Sequence, residues 1–179
     1  MNRIDESRIF TALDIAVLTV SDTRVLSDDR SGDILADRLT AAGHRLAARM
    51  IVRDEIRQIR TQVRSWADNP AIQVVIVTGG TGFTGRDITP EAVEPLFEKR
   101  MDGFSMLFHM VSFKTIGTVT MQSRATAGVI NGTFVFCLPG SPGACKDAWD
   151  GILRGQLDSR QLPGNLVELI PRLNEHLKD

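Results

Sequence analysis

The chain has 179 residues, of which 42% are hydrophobic and 24% are charged, and its formal net charge is −1. That length suits one globular domain of roughly 100–200 residues, and the apolar fraction is too high for a disordered chain. The balance of charge gives no overall field that would attract nucleic acid or an anionic membrane surface. No apolar run reaches the roughly 18 residues of a transmembrane helix. We therefore expect a soluble, cytoplasmic protein that binds neither nucleic acid nor a membrane.

The first part of the chain predicts strands that alternate with helices. Residues 1–12 lack this pattern and are expected to form a loose, flexible leader, followed by a single domain over residues 13–179. Apolar runs predict strands at residues 15–20, 45–52 and 74–77. Helices are predicted between them from the periodic apolar positions Ile34, Leu35 and Leu39 and then Ile56, Ile59, Val63 and Trp66. The alternation indicates crossover units and a parallel sheet.

The second part of the chain departs from strict alternation. Two apolar segments, residues 125–130 and 133–138, flank Asn131-Gly132, which is the strongest short-range signal for a hairpin. Helices are expected at residues 91–99, at 103–113, from Pro142 to about Leu153, and at 166–177 with a break at Pro171. The fold class predicted from the pattern is therefore α/β, with a mostly parallel mixed sheet and one antiparallel hairpin.

The segment richest in chemistry is TGGTGFTGRDITPEA, residues 78–92, which begins where the most strand-like run ends. Ligands bind at this edge of an open α/β sheet, and glycines there let backbone amides approach a phosphate closely. The dinucleotide and P-loop motifs do not fit, because no acidic residue closes a strand about 20 residues later and Arg86-Asp87 replaces Lys-Ser/Thr. A plain turn is the other reading. The candidate phosphate-binding residues are Thr78, Gly79, Gly80, Thr81, Gly82 and Arg86.

Two carboxylates lie next to predicted strand ends. Asp87 follows the glycine loop, and Asp54 follows the strand over residues 45–52, just before a helix. Either side chain could simply cap or stabilise a helix end, worth about 0.3–1 kcal/mol through the helix dipole. Beside bound phosphates, both could instead be ligands of Mg²⁺. On the assumption that their strands are neighbours, we expect Asp54 and Asp87 to share a metal at one sheet edge.

Two further loops are expected at the same edge. The loop over residues 139–142 lies between a predicted strand and a predicted helix. It is either a well-formed helix start or a rigid wall that offers amides and a hydroxyl to a polar ring. The loop over residues 21–24 follows the first predicted strand, and Arg24 is either an anion contact or a surface residue. The candidate residues of these loops are Pro139, Gly140, Ser141 and Pro142, and Ser21, Asp22 and Arg24.

Other common catalytic patterns are missing from the sequence. The three histidines form no zinc motif, and no G-x-S-x-G elbow is present. Cys137 and Cys145 have no C-x-x-C spacing, and we expect both to be inert packing residues. The methionines and phenylalanines over residues 101–110 predict a packing or subunit-contact face.

With these segments in place, the chain resembles the molybdenum cofactor biosynthesis family that includes the MoaB, MogA and gephyrin-like domains. The resemblance spans residues 14–173, and the string TGGTG followed by RD-x-TPEA is its most specific part. The other matching segments look more like the MoaB members; they are Ser21-Asp22-Thr23-Arg24, Ser31-Gly32 and Pro139-Gly140-Ser141-Pro142.

The resemblance implies a three-layer α/β/α sandwich as the fold. It also implies an enzyme that transfers AMP from ATP to the terminal phosphate of molybdopterin, with Mg²⁺ as cofactor. It matches Asp54 and Asp87 to acidic positions tied to Mg²⁺ and catalysis, and the Ser141 loop to the pterin side of the pocket. It also implies a homotrimer or hexamer, and a hand-over of the product to the molybdenum-insertion protein.

Two alternatives stay open at this point. A protein of the same fold can bind molybdopterin without adenylylating it, although the presence of both Asp54 and Asp87 favours the enzyme. A generic dinucleotide-binding module is the second alternative, and the misplaced glycine fingerprint argues against it.

Overall fold

The structure is a computed structural model that describes residues 3–177. Its strands are β1 (Arg3–Ile4), β2 (Asp14–Val20), β3 (Arg45–Val52), β4 (Val74–Thr78), β5 (Lys99–Arg100), β6 (Thr126–Ile130), β7 (Thr133–Leu138) and β8 (Gln161–Leu162). Its helices are α1 (Arg30–Ala41), α2 (Ile56–Ala67), α3 (Thr89–Val93), α4 (Asp102–Ile116), α5 (Pro142–Ala148) and α6 (Arg154–Gln156), the last two joined by a π-helical turn, Trp149–Leu153. Short 3-10 turns lie at Leu26–Asp28, Glu94–Leu96, Gly117–Gln122, Val167–Arg172 and Glu175–Leu177.

A six-stranded sheet in the order β3-β2-β4-β7-β6-β5 forms the centre of the molecule. The first four strands of that order are parallel, and β6 and β5 add antiparallel pairs at one side. The middle strands β4 and β7 are buried along their whole length, as continuous apolar runs in covered sheets are. The predicted mixed, mostly parallel sheet is confirmed.

Helices cover both faces of the sheet and produce three layers. Alternate side chains of each strand point to opposite faces, so Val74 and Ile76 join the core under α1, α4 and α5. Val75 and Val77 join the second core, under α2 and α3. The α/β/α sandwich implied by the resemblance is therefore the observed architecture.

The hairpin between β6 and β7 turns at the predicted dipeptide. Asn131 and Gly132 have φ values of 46° and 76°, the left-handed conformation that a type I′ hairpin turn requires at both central positions. The strands pair antiparallel from Ile130 and Thr133 outward.

The N-terminal segment differs from the loose leader expected for residues 1–12, of which residues 1–2 lie outside the described residues. Strand β1 pairs antiparallel with β8, and the Thr11 amide donates to the Ser159 hydroxyl at 2.8 Å. The segment is held because its polar backbone groups find partners on the C-terminal part of the chain, which local sequence does not show.

Two helix predictions also need correction. Only the first part of residues 91–99 is helical: Pro95 has no amide hydrogen to continue the ladder, and Lys99 instead pairs with Val129 as an edge strand. The stretch over residues 166–177 forms 3-10 turns around Pro171 rather than an α-helix. Within residues 3–177, no helix combines the length and the hydropathy needed to cross a membrane.

Candidate functional site

Loops at the carboxyl ends of the parallel strands surround one cavity of about 410 Å³. Of the residues singled out in the sequence, all but Asp22 and Pro142 line it: Ser21, Arg24, Asp54, Thr78, Gly79, Gly80, Thr81, Gly82, Arg86, Asp87, Pro139, Gly140 and Ser141. The other lining residues, which no sequence pattern indicated, are Thr19, Val20, Gln122 and Ser123.

The glycine loop requires glycine at its first two positions. Gly79 has φ of 106°, and a Cβ there would lie 2.2 Å from the Val20 carbonyl oxygen. Gly80 has φ of 62°, and its Cβ would lie 2.6 Å from the Thr89 hydroxyl oxygen. Thr89 in turn ties the loop down, because its amide donates to the Gly80 carbonyl at 2.8 Å and its hydroxyl to the Gly79 carbonyl at 2.8 Å. The loop is therefore fixed against the strand ends.

Asp54 points towards this glycine loop. A Cβ on Gly80 would lie 2.9 Å from the Asp54 Oδ1 atom. The strands that carry the loop and Asp54 are not neighbours, contrary to the sequence-based assumption, because β2 lies between β3 and β4. Burial raises the pKa of the Asp54 carboxyl above its ordinary value, and the negative charges of Asp22 and Asp87 raise it further, against the pull of Arg86.

Asp87 lies against the same loop, next to Gly82. Its Oδ2 atom accepts hydrogen bonds from the Thr84 amide at 2.9 Å and the Thr84 hydroxyl at 2.6 Å, and it would lie 2.8 Å from a Cβ on Gly82. Burial acts to raise the pKa of Asp87, but these bonds, the Gly82 amide and Arg124 outweigh it, so the pKa lies below its ordinary value. Asp87 is therefore held in the charged form.

Asp22 and Arg86 form an ion pair at the mouth of the cavity. The guanidinium of Arg86 lies 2.7 Å from the carboxylate of Asp22, and this hydrogen bonding lowers the pKa of Asp22. Asp22 also accepts a hydrogen bond from the Asp54 amide at 3.2 Å. Asp22 thus positions its neighbours rather than lining the cavity, whereas Arg86 both makes the salt bridge and lines the cavity.

The Pro139–Ser141 wall leads into the N-terminus of α5. The Ser141 hydroxyl accepts from the Ala144 amide at 3.1 Å as the N-cap, with Pro142 in the first turn. Pro142 is therefore part of the helix start and does not line the cavity. The wall is tied to the glycine loop, because the Thr78 hydroxyl donates to the Pro139 carbonyl at 3.0 Å.

A buried carboxylate, Asp29, lies next to Thr19 of β2, which lines the cavity. Asp29 is completely buried and accepts hydrogen bonds from the Thr19 hydroxyl at 2.7 Å, the Gly32 amide at 3.0 Å and Arg49 at 2.9 Å. Burial acts to raise the pKa of Asp29, but these three partners outweigh it and the pKa is lowered. Arg24 lines the cavity and lies 3.9 Å from the Asp29 carboxylate.

The donor set suits a Mg²⁺ ion shared with phosphates better than a closed protein cage. In the part of the chain that the structure describes, no three His, Cys, Asp or Glu side chains cluster to hold a metal. Two carboxylates are available, and the pKa of Asp54 responds to the charge of Asp87. Mg²⁺ commonly takes one or two carboxylates and completes its shell with water and substrate phosphates.

A mostly parallel α/β sheet with a glycine loop, two carboxylates and a polar wall at its carboxyl edge has the arrangement in which open α/β proteins bind their ligands. A family model described as "Probable molybdopterin binding domain" matches residues 16–159. The chain belongs to this molybdopterin-binding family, and its role lies in molybdenum cofactor biosynthesis.

Curated relatives and solved structures agree with that assignment. Molybdenum cofactor biosynthesis protein B of Escherichia coli (strain K12) is 48% identical over 151 residues, 84% of this chain and 89% of the relative. The protein of that name from Bacillus subtilis (strain 168) is 43% identical over 142 residues, 79% and 84% of the two chains. A crystal structure of molybdenum cofactor biosynthesis protein B aligns with a TM-score of 0.81 at 37% identity, covering 84% of this chain and 94% of that one. The tungsten cofactor synthesizing protein MoaB from Pyrococcus furiosus aligns with a TM-score of 0.71 at 29% identity, covering 94% and 98%.

Proposed function

We propose that the protein is a Mg²⁺-dependent molybdopterin adenylyltransferase, which transfers AMP from ATP to the terminal phosphate of molybdopterin. The observation that carries this proposal is that Asp54 and Asp87 flank one glycine loop within a single cavity. A cavity of about 410 Å³ also lies in the usual size range of small-molecule sites.

The proposed reaction brings two phosphates together. An oxygen of the molybdopterin phosphate attacks the α-phosphorus of ATP, the bond from that phosphorus to the pyrophosphate oxygen breaks, and pyrophosphate leaves. Two unit charges about 4 Å apart repel by roughly 4 kcal/mol at an effective dielectric of about 20, whereas one helix end offsets about 1 kcal/mol or less. Converging amides and cations are therefore needed.

The chain supplies several of these groups. The backbone of Gly79, Gly80 and Gly82 is accessible in the cavity wall, and Arg24 and Arg86 add positive charge at the rim. Asp54 and Asp87 would hold Mg²⁺, which when bound neutralises phosphate charge and orients the reacting oxygens. Catalysis of this kind consists mainly of positioning and electrostatic stabilisation.

No protein nucleophile is required, because the attacking phosphate is already an anion. The buried thiol nearest the cavity supports this reading. Burial raises the pKa of Cys145 to about 11, so the thiol stays protonated at neutral pH, and its sulfur lies 3.2 Å from the Thr78 hydroxyl as a packing group. Cys137 is buried in β7, and burial raises the pKa of its thiol as well.

The proposal includes self-association as a homotrimer or hexamer, in the cytoplasm where ATP and Mg²⁺ are available. Exposed apolar side chains on α4 and the turn after it support an interface between copies, since monomers rarely expose large contiguous apolar patches. Phe104 and Phe108 of α4 are buried, and the exposed residues are Met106, Leu107, Met110, Phe113, Ile116, Val119 and Met121.

The direct test is to mix purified protein with molybdopterin, ATP and Mg²⁺ and to measure adenylylated molybdopterin and pyrophosphate. We expect product from the natural chain. We expect Asp87→Asn to abolish turnover while molybdopterin binding is retained, because the metal-binding charge is lost and the glycine loop is kept. The matched control is Asp102→Asn, whose side chain is 79% exposed and pairs with Arg100; it should turn over normally.

The outcomes separate the alternatives. Molybdopterin binding without any product from the natural chain would indicate a catalytically silent binding protein. Normal turnover in Asp87→Asn would remove that residue from the mechanism. Tight binding of NAD in place of ATP and Mg²⁺, measured by calorimetry, would favour a dinucleotide-binding module.

A further inference from the structure

Arg124 lies just before β6 and reaches the glycine loop from outside the cavity. Its Nε donates to the Gly82 carbonyl oxygen at 2.8 Å, and its Nη2 donates to the Asp87 carbonyl oxygen at 2.8 Å. Its Nη1 pairs with the Glu91 carboxylate, and its own backbone amide donates to the Thr81 carbonyl at 2.9 Å. One guanidinium therefore joins the two ends of the segment that carries Asp87.

That segment has weak ties to the protein otherwise. Residues 83–86 are exposed, and the hydrogen bonds between Thr84 and Asp87 are internal to the segment. Within the described chain, its other side-chain tie is the ion pair of Arg86 with Asp22, in which the arginine side chain is 63% exposed. Exposed pairs of this kind contribute little.

The Arg124 side chain is better protected. It is 25% exposed, and its guanidinium carbon lies 5.3 Å from the centroid of the Phe83 ring, a distance at which an aromatic face attracts a cation. The Arg124 side chain is thus held in one position, in which it can bind the backbone of residues 82–87.

We propose that Arg124 is a positioning residue for Asp87. By fixing the carbonyl groups of Gly82 and Asp87, it sets where the Asp87 carboxylate stands relative to the cavity, while Glu91 holds the guanidinium in place. This inference rests on the proposed function, since it concerns how Asp87 is presented to Mg²⁺ and phosphate.

The role depends on the shape of the guanidinium as well as on its charge. Arginine presents donors on three nitrogens in a rigid plane, whereas the lysine ammonium is a single point that cannot span two carbonyls and a carboxylate together. Without the guanidinium, the Gly82 and Asp87 carbonyls form hydrogen bonds with water instead, and residues 82–87 are no longer held in one position. A misplacement of about 1 Å can cost roughly 100-fold in rate, and loss of a group that orients a metal ligand typically costs about 10–100-fold in affinity or activity.

The test compares Arg124→Lys and Arg124→Gln with a matched control, Arg100→Gln. Arg100 pairs with Glu94 and Asp102 and has no bond to the glycine loop. In both Arg124 variants we expect kcat for adenylylation to fall by about 10–100-fold and the KM for molybdopterin to change by less than about 2-fold, since the pterin wall is untouched. The Arg100 variant should keep both constants.

Two readouts do not depend on turnover. Mn²⁺ binding in the presence of an ATP analogue that cannot transfer AMP, followed by electron paramagnetic resonance, should weaken by about 10-fold or more in both Arg124 variants. Amide hydrogen exchange should speed up over residues 82–87 and stay unchanged in β4. A purely structural role would instead change exchange throughout the sheet.

The two proposals can fail separately. An inactive natural chain contradicts the adenylyltransferase, while Mn²⁺ binding and hydrogen exchange still decide the role of Arg124. Natural Mn²⁺ affinity and natural exchange over residues 82–87 in the folded variants overturn that role. If Arg124→Gln does not fold, Arg124→Lys decides, because it keeps the charge and the backbone bond to Thr81.

Discussion

Two carboxylates near the carboxyl end of β2, Asp29 and Asp54, have opposite environments. Asp29 is completely buried with three hydrogen-bond partners, and its pKa is lowered. At the mouth, Asp54 forms no salt bridge within residues 3–177 and faces the like charges of Asp22 and Asp87, and its pKa is raised. The first group stabilises the fold, and the second opposes it.

This difference separates a carboxylate that the fold compensates from one that the fold leaves uncompensated. Asp29 is buried and already paired with Arg49, so it is not open to a ligand. A carboxylate held next to other negative charges is relieved when a cation binds, so the strain in the free protein becomes affinity for that cation. Three substitutions test this comparison, in order of decreasing effect.

The largest effect is expected for Asp29→Asn. The substitution removes the buried negative charge that pairs with Arg49 and leaves the half-exposed Asp33 as the acidic partner of that guanidinium; breaking a buried pair costs up to about 3–5 kcal/mol in proteins. Urea unfolding followed by circular dichroism measures this loss. The control is Asp33→Asn, because Asp33 also pairs with Arg49 but is 51% exposed; its loss should be about 1 kcal/mol or less. A loss below that value in Asp29→Asn would contradict the structural role.

A smaller effect of opposite sign is expected for Asp54→Asn. Because the folded pKa of Asp54 is raised, its negative charge lowers the stability of the fold at pH values above that pKa. This loss of stability shrinks as the pH falls through the folded pKa, and it is gone below the ordinary pKa near 3.9. The variant should therefore gain about 0.5–1 kcal/mol of unfolding free energy at pH 7, and the gain should vanish at about pH 3.5.

The control for this prediction is Asp87→Asn. The pKa of Asp87 is lowered, so its charge contributes stability that is present above the ordinary pKa and is lost as the pH falls through the folded value. The variant should therefore lose stability at pH 7. Urea unfolding at several pH values measures both variants, and a loss of stability in Asp54→Asn at pH 7 would refute the comparison.

The smallest effect is expected for Asp22→Asn. Removing the negative charge of Asp22 and releasing Arg86 should both lower the pKa of Asp54, whereas the asparagine oxygen can still accept the Asp54 amide. Carboxyl chemical shifts of Asp54 followed by NMR through an acid titration measure the change. The distant control Asp102→Asn should leave the titration of Asp54 unchanged. An unchanged titration of Asp54 in Asp22→Asn would contradict the prediction.

The sequence predicted the parts of the site that follow strand ends. The buried run of β4 leads directly into the glycines, and parallel topology brings Asp54 and Asp87 to one edge even though β2 separates their strands. This succeeded because strand direction alone decides which edge a loop occupies. The hairpin at Asn131-Gly132 was equally local, since its backbone conformation is set by the dipeptide.

Features that depend on distant packing were missed. Gln122, Ser123 and Arg124 reach the cavity and its loop from the segment between α4 and β6, and no local pattern marks that approach. Asp29, the N-cap of α1, was not singled out in the sequence. It is buried because Arg49 of β3 and Thr19 of β2 close over it, which requires the register of two strands.

The close approach of the two cavity walls has a further consequence. A Cβ on Gly140 would lie 3.0 Å from the Gly79 Cα, and the Thr78 bond to Pro139 ties the same walls together. The spacing between the walls at this point is therefore limited by contact of main chain with main chain. Under the proposed function, a wall spacing limited in this way would favour a ligand that already fits the cavity, because little binding energy is then spent on rearranging the walls.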